Sequence, residues 1–113
     1  MPYLRFKGFP KPYLQTIAPR IATEFSQLVG VTQEMVKIEL LLTETITAVP
    51  HSLEILMFPR QQEVHDAVAA TINQILRESG YHLVHIFFII LDPHVYYKHG
   101  EPLALHPAKD DTV

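Results

Sequence analysis

Apolar residues recur along this chain at two spacings. Leu14, Ile17, Ala18, Ile21, Phe25, Leu28 and Val29 follow one another at steps of three and four, the spacing of a single helix face. Pro12 stands where a first helical turn accepts proline, and Gly30 ends the run. Pro19 lies inside it and forfeits a backbone hydrogen bond, which predicts a kink. Val64, Val68, Ile72, Ile75 and Leu76 form a second such face, closed by Gly80. The other spacing is that of strands. Residues 36–44, "VKIELLLTE", and 83–91, "LVHIFFIIL", are rich in the branched and aromatic side chains that fit a pleated surface.

The pattern also repeats. Setting "LRFKGFPK" (4–11) against "LEILMFPR" (53–60) brings Leu4 onto Leu53, Phe6 onto Ile55 and Phe9-Pro10 onto Phe58-Pro59, with a basic residue after each proline. One residue of adjustment later, Leu14 and Gly30 fall on Val64 and Gly80. Two units are too few for a stacked array, so the repeat predicts one pseudo-twofold domain over residues 1–113, with halves at about 2–45 and 51–92. The expected fold class is α+β. Two β-α-β units with right-handed crossovers form a four-stranded sheet carrying both helices on one face. A turn at Asp92-Pro93, a short strand at 95–97 and a turn around 98–101 predict a C-terminal hairpin, and residues 106–113 read as a loose polar end of the 93–113 segment. The strand "LVHIFFIIL" is apolar on both faces. Two helices cover only one face of a sheet, and the expected cover for the other is a second copy of the chain.

Composition narrows the function. With 48% apolar and 19% charged residues among 113, the chain has enough apolar surface to fold rather than stay disordered. A formal net charge of −3 with the nine basic residues scattered argues against a nucleic-acid partner. No cysteine is present, which removes disulfides and thiolate metal sites. The opening "MPYLRFKGFPKP" lacks the unbroken apolar run of a signal peptide, and "LVHIFFIIL" is far short of the roughly twenty residues of a membrane span. The expectation is a cytoplasmic protein without a membrane partner. Seven histidines show no metal-ligand spacing, and four glycines form no phosphate loop, so neither a metal nor a cofactor is expected.

Pro2 directly follows Met1, and two readings of it stay open: the second residue of a strand, or the working end of an enzyme once Met1 is removed. "MPYLRF", "IELLLTE", "LMFPRQQ" and "YYKHG" make the chain up to about Leu103 resemble the tautomerase superfamily, which includes 4-oxalocrotonate tautomerase and macrophage migration inhibitory factor. Within it, the segments look most like a small, functionally uncharacterised bacterial family. The resemblance implies a homotrimer and a small-molecule keto-enol tautomerase-like chemistry in which the N-terminal proline acts as base or acid. Such proton transfer needs a base with pKa near 7 and a donor or cation for the developing enolate. A free α-amine, with pKa about 8, comes close, and an apolar pocket lowers it further.

The residues expected to bind a substrate, an α-keto acid or its enol, are Arg60, Glu39, Tyr97 and Lys37. Arg60, past the third strand, has a guanidinium able to grip a carboxylate through two parallel bonds, or is an ordinary surface residue at a helix start. Glu39 stands where the classical short tautomerases carry a carboxylate-binding arginine, a reversal of charge, and Arg5 is placed to neutralise it across neighbouring strands. Lys37 is a further cation. Tyr97, with Tyr96, lies in a segment that in relatives approaches a neighbouring subunit's site. The alternative function is a catalytically silent oligomeric binding or scaffold protein that keeps the fold.

Overall fold

Two central antiparallel strands set the frame of the computed structural model, which describes residues 1–103. The first strand, β1 (Tyr3–Lys7), pairs with β3 (His51–Met57) so that Arg5 faces Glu54, Leu4 faces Ile55 and Phe6 faces Leu53. A twofold axis between Arg5 and Glu54 therefore carries Leu4 onto Leu53 and Phe6 onto Ile55, the same matches that the sequence repeat makes. Each central strand has an outer parallel neighbour, β2 (Lys37–Leu41) beside β1 and β4 (Val84–Ile90) beside β3, giving the order β2-β1-β3-β4. Parallel neighbours require crossovers, and α1 (Lys11–Val29) and α2 (Gln62–Glu78) supply them.

Strand alternation sorts the side chains. Leu4, Phe6, Leu53, Ile55 and Met57 point to the helices and are buried, meeting Leu14, Ile21 and Phe25 of α1 and Val68, Ile72, Ile75 and Leu76 of α2. Each fully buried branched or aromatic side chain contributes about 1.5–3 kcal/mol by leaving water. The opposite face presents Tyr3, Arg5 and Lys7 of β1, with Glu39, Glu54, Leu56, Phe87 and Ile89 on its neighbours. Arg5 sits between two carboxylates there, its Nε donating to Glu39 Oε1 at 3.0 Å and its Nη1 lying 3.8 Å from Glu54 Oε1. No helix among the described residues covers this face, and Phe87 is 43% exposed.

The helix ends follow the expected chemistry. Gly30 adopts φ 79°, its N–H and that of Val31 both reaching the Ser26 carbonyl, which closes α1 with a left-handed residue. Helix α1 runs unbroken through Pro19. The strand expected over 36–44 is shorter, because pairing with β1 stops at Leu41 and residues 42–50 cross to β3 without a ladder. Near the C-terminus, residues 93–95 form a 3₁₀ turn in which Asp92 Oδ1 accepts the His94 N–H at 2.9 Å. The hairpin follows as β5 (Tyr97–Lys98) and β6 (Glu101–Pro102), joined by His99 and Gly100, both at positive φ as a tight two-residue turn requires. The expected loose end over 106–113 lies outside the described residues. No helix among the described residues is long and apolar enough to cross a membrane.

Candidate functional site

Pro2 lies at the threshold of β1, where its carbonyl accepts the Lys37 N–H at 3.0 Å and so begins the β1–β2 pairing. Its side chain is buried. A narrow crevice lies beside it, with room for about one water molecule, walled by Met1, Pro2, Val29, Val31, Met57, Phe58 and Arg60. Three segments converge on this spot because the β1-α1-β2 crossover returns the end of α1 to the start of β1, and the antiparallel β1–β3 pairing brings the end of β3 there. The walls are mostly apolar, with one cation.

That cation is Arg60, half-buried on the turn between β3 and α2. Its Nε donates to the Val29 carbonyl at 3.2 Å and its Nη1 to the carbonyls of Phe58 at 3.4 Å and Pro59 at 3.3 Å. These bonds pin the guanidinium across the end of α1, where a cation also suits the negative end of the helix dipole. Nη2 makes no hydrogen bond among the described residues. The backbone N–H of Arg60 donates to His65 Nε2 at 3.1 Å.

The Met1 terminal amine beside this crevice is pushed below its ordinary value of 8.0, first by burial and then by repulsion from Lys37 and Lys98. Lys98 reaches the region on the C-terminal hairpin. The same hairpin delivers Tyr96, whose ring packs edge-on to Phe58 at 5.5 Å. Burial, and then Tyr3, hold the Tyr96 hydroxyl above its usual range, so it keeps its proton and can donate.

The structure thus gathers Pro2 and Arg60 at one cleft, with Lys37 close enough to act on the amine. Lys37 Nζ itself donates to the Glu34 carbonyl at 2.8 Å. Glu39 and Tyr97 are not among the cleft walls: Glu39 is engaged by Arg5, and Tyr97 is 59% exposed on β5. Tyr3, His65 and Lys98 near this end carry no signal of their own in the sequence, and of the paired tyrosines it is Tyr96 that is half-buried and Tyr97 that is exposed. The motif "YYKHG" contained Tyr96 and Lys98, but which of two neighbouring tyrosines faces inward depends on a hairpin register that the motif alone does not fix.

The twofold image of the cleft is closed. His51, Tyr81, Phe9 and Lys11 stand where Pro2, Val31, Phe58 and Arg60 stand at the other end. There the rings of Phe9 and His51 meet at 4.9 Å, Phe9 and Tyr81 at 5.0 Å, and Tyr13 and Tyr81 at 4.8 Å, filling the space with aromatic contacts. Gly8, at φ 91°, permits this close packing, since a Cβ there would come within 3.3 Å of His51 Cδ2. Among the described residues no group of histidines and carboxylates is arranged to hold a metal ion.

Comparison with known proteins gives the fold and the family. The chain has the same fold as a protein of unknown function from Vibrio cholerae, at TM-score 0.81 and 26% identity over 89% of this chain and 86% of that one. It resembles equally a structure of the family described as "Domain of unknown function (DUF1904)" from Sebaldella termitidis, at TM-score 0.81 and 23% identity over 88% and 97%. A fused 4-OT, solved as an asymmetric trimer, superposes at TM-score 0.75 with 10% identity over 92% and 98%, a likeness of fold alone. No curated protein matches the chain. The family model described as "Domain of unknown function (DUF1904)" matches residues 1–102. The chain belongs to this DUF1904 family, and its fold is that of the tautomerase superfamily.

Proposed function

We propose that the protein is a keto-enol tautomerase-like enzyme acting on a small α-keto acid or its enol, with Pro2 as the base after removal of Met1. One observation carries this reading: Pro2 and the Arg60 cation wall the same small apolar crevice, whose surroundings already hold the amine of the preceding Met1 below its ordinary pKa. The reaction moves a single proton between carbon and oxygen. The Pro2 nitrogen takes it from one atom as the double bond shifts and returns it to the other, so nothing leaves and nothing is oxidised. Arg60 Nη2 and the Lys37 charge attract the carboxylate, and the Tyr96 hydroxyl is a donor for the enolate oxygen. A homotrimer completes the reading. It is supported by the uncovered sheet face and by the trimeric assembly of the fused 4-OT.

Turnover of an aromatic enol pyruvate tests it. Pro2→Ala should lower kcat far more than it raises KM, because it alters the base rather than the grip. Arg60→Ala should cost about tenfold to a hundredfold in kcat/KM, the worth of roughly 1.5–3 kcal/mol for a charge-assisted contact. Activity that neither substitution changes would exclude the mechanism.

A different observation favours the silent binding or scaffold protein. Arg60 Nε and Nη1 are already spent on main-chain oxygens, and Glu39 is paired with Arg5. Intact mass separates the two, since a chain that keeps Met1 has an amide nitrogen at Pro2 and no base there.

A further inference from the structure

We propose that neutral His65 is the positioning residue of the Pro2 cleft, fixing Arg60 through its main chain, and that protonating this one imidazole releases Arg60 from the site. His65 occupies the first turn of α2, four residues beyond the Gln61 N-cap, and its Nε2 accepts the Arg60 N–H from the residue just before that cap. The bond ties the turn to the helix across the place where a hydrophobic staple would otherwise act. Its ring stands edge-on to Phe88 of β4 at 4.5 Å, which holds the imidazole plane.

The protonation state follows from the geometry. Accepting at Nε2 requires a lone pair, so the ring is neutral and carries its proton on Nδ1. Nδ1 is buried and has no hydrogen-bond partner among the described residues. A second proton turns Nε2 from an acceptor into a donor pointed at the donor N–H of Arg60. It also places a charge on a ring whose other nitrogen is out of water. The charged group facing the ring from the turn is Arg60, itself a cation. On its own helix Glu63 and Asp66 are exposed, Asp66 accepting from Gln62 at 2.9 Å. From β4 comes the Phe88 ring, and from α1 the Val29 carbonyl, which Arg60 already occupies. None of the ion pairs among the described residues engages His65.

The device belongs to one half of the molecule. At the place matching His65 in the first half stands Gln15, which is exposed and holds no turn. The imidazole therefore accompanies the Pro2 end and is absent from the ring-filled one.

Histidine is the side chain that changes charge between about pH 5 and pH 8, and nuclear magnetic resonance over that range tests the coupling. The Arg60 amide signal should move with the same midpoint as the His65 ring protons, and its movement should vanish in His65→Gln, which keeps an acceptor without a titration. An Arg60 amide that stays still while His65 titrates overturns the proposal, as does a His65 that never titrates over the range. Pyruvate serves as the probe for the site itself, the one part that rests on the catalytic reading. Its affinity should fall on acidification about tenfold more in the native protein than in His65→Gln. Equal pH dependence in the two proteins overturns the link to the site. The amide experiment needs neither ligand nor Met1 removal, so its failure is distinguishable from failure of the catalytic reading.

Discussion

An amine becomes a useful base near neutral pH only when its charged form is made uncomfortable, and the start of β1 does this in two ways. Burial strips the ammonium of hydration, and Lys37 and Lys98 repel it. Removal of Met1 would make the neighbouring Pro2 nitrogen the terminal amine, in a residue whose side chain is buried. The sign of the linkage follows. The unfolded chain binds this proton with a pKa of 8.0 and the folded chain with a lower one. The group's contribution to stability is therefore complete above 8.0 and is lost as pH falls through the folded value. Residue chemistry at this end was partly legible in the sequence. Pro2 and Arg60 were marked by a terminal proline and by "FPR" at a strand end. For Glu39 the sequence offers two places, a binding role and a cross-strand pair with Arg5, and the β1–β2 register makes the pair.

At the scale of elements, periodicity was a sound guide wherever burial enforces it. The faces read as Leu14, Ile21 and Phe25, and as Val68, Ile72 and Ile75, are the buried stripes of α1 and α2. Ile72 is 1% exposed at the centre of α2, so Ile72→Ala should lower the unfolding free energy by about 2–5 kcal/mol in denaturant titration. A loss below about half a kcal/mol, the range of surface substitutions, would show that α2 does not pack as described. Legibility fails where no buried face constrains the chain. Residues 42–44 looked like the end of a strand from their composition, but they extend past the end of β1 and have no partner to pair with. The C-terminal hairpin was expected in outline, yet its strand begins at Tyr97 because Asp92 captures His94 and winds residues 93–95 into a 3₁₀ turn. Side-chain capture of this kind leaves little trace in apolar periodicity.

For the molecule as a whole, the repeat carried most of the information. It carries the twofold relation of the two halves, and the register of β1 with β3 reproduces it. What the repeat hides is the difference between its ends. His51 and Tyr81 stand in the places of Pro2 and Val31 and fill one end with rings, where the other end keeps a narrow crevice. The uncovered sheet face, with Phe87 and Ile89 exposed, and the 42–50 crossing, where Leu42 is 90% and Ile46 94% exposed, mark surfaces that a further copy of the chain would cover. Light scattering should give the mass of three chains, and Ile46→Ser should weaken that assembly without lowering the helical signal. A stable monomer at micromolar concentration would remove the case for assembly.

The account stands or falls on Pro2 being a free, partly neutral amine in the native protein. Labelling proline with ¹⁵N and following the Pro2 nitrogen through a pH titration measures this directly. The account predicts a titrating secondary amine with a midpoint below the ordinary value of about 8, moving upward in Lys37→Gln as one repelling charge is removed. A Pro2 nitrogen that does not titrate, as an amide behind a retained Met1 would not, or one with a midpoint at or above the ordinary value, contradicts it.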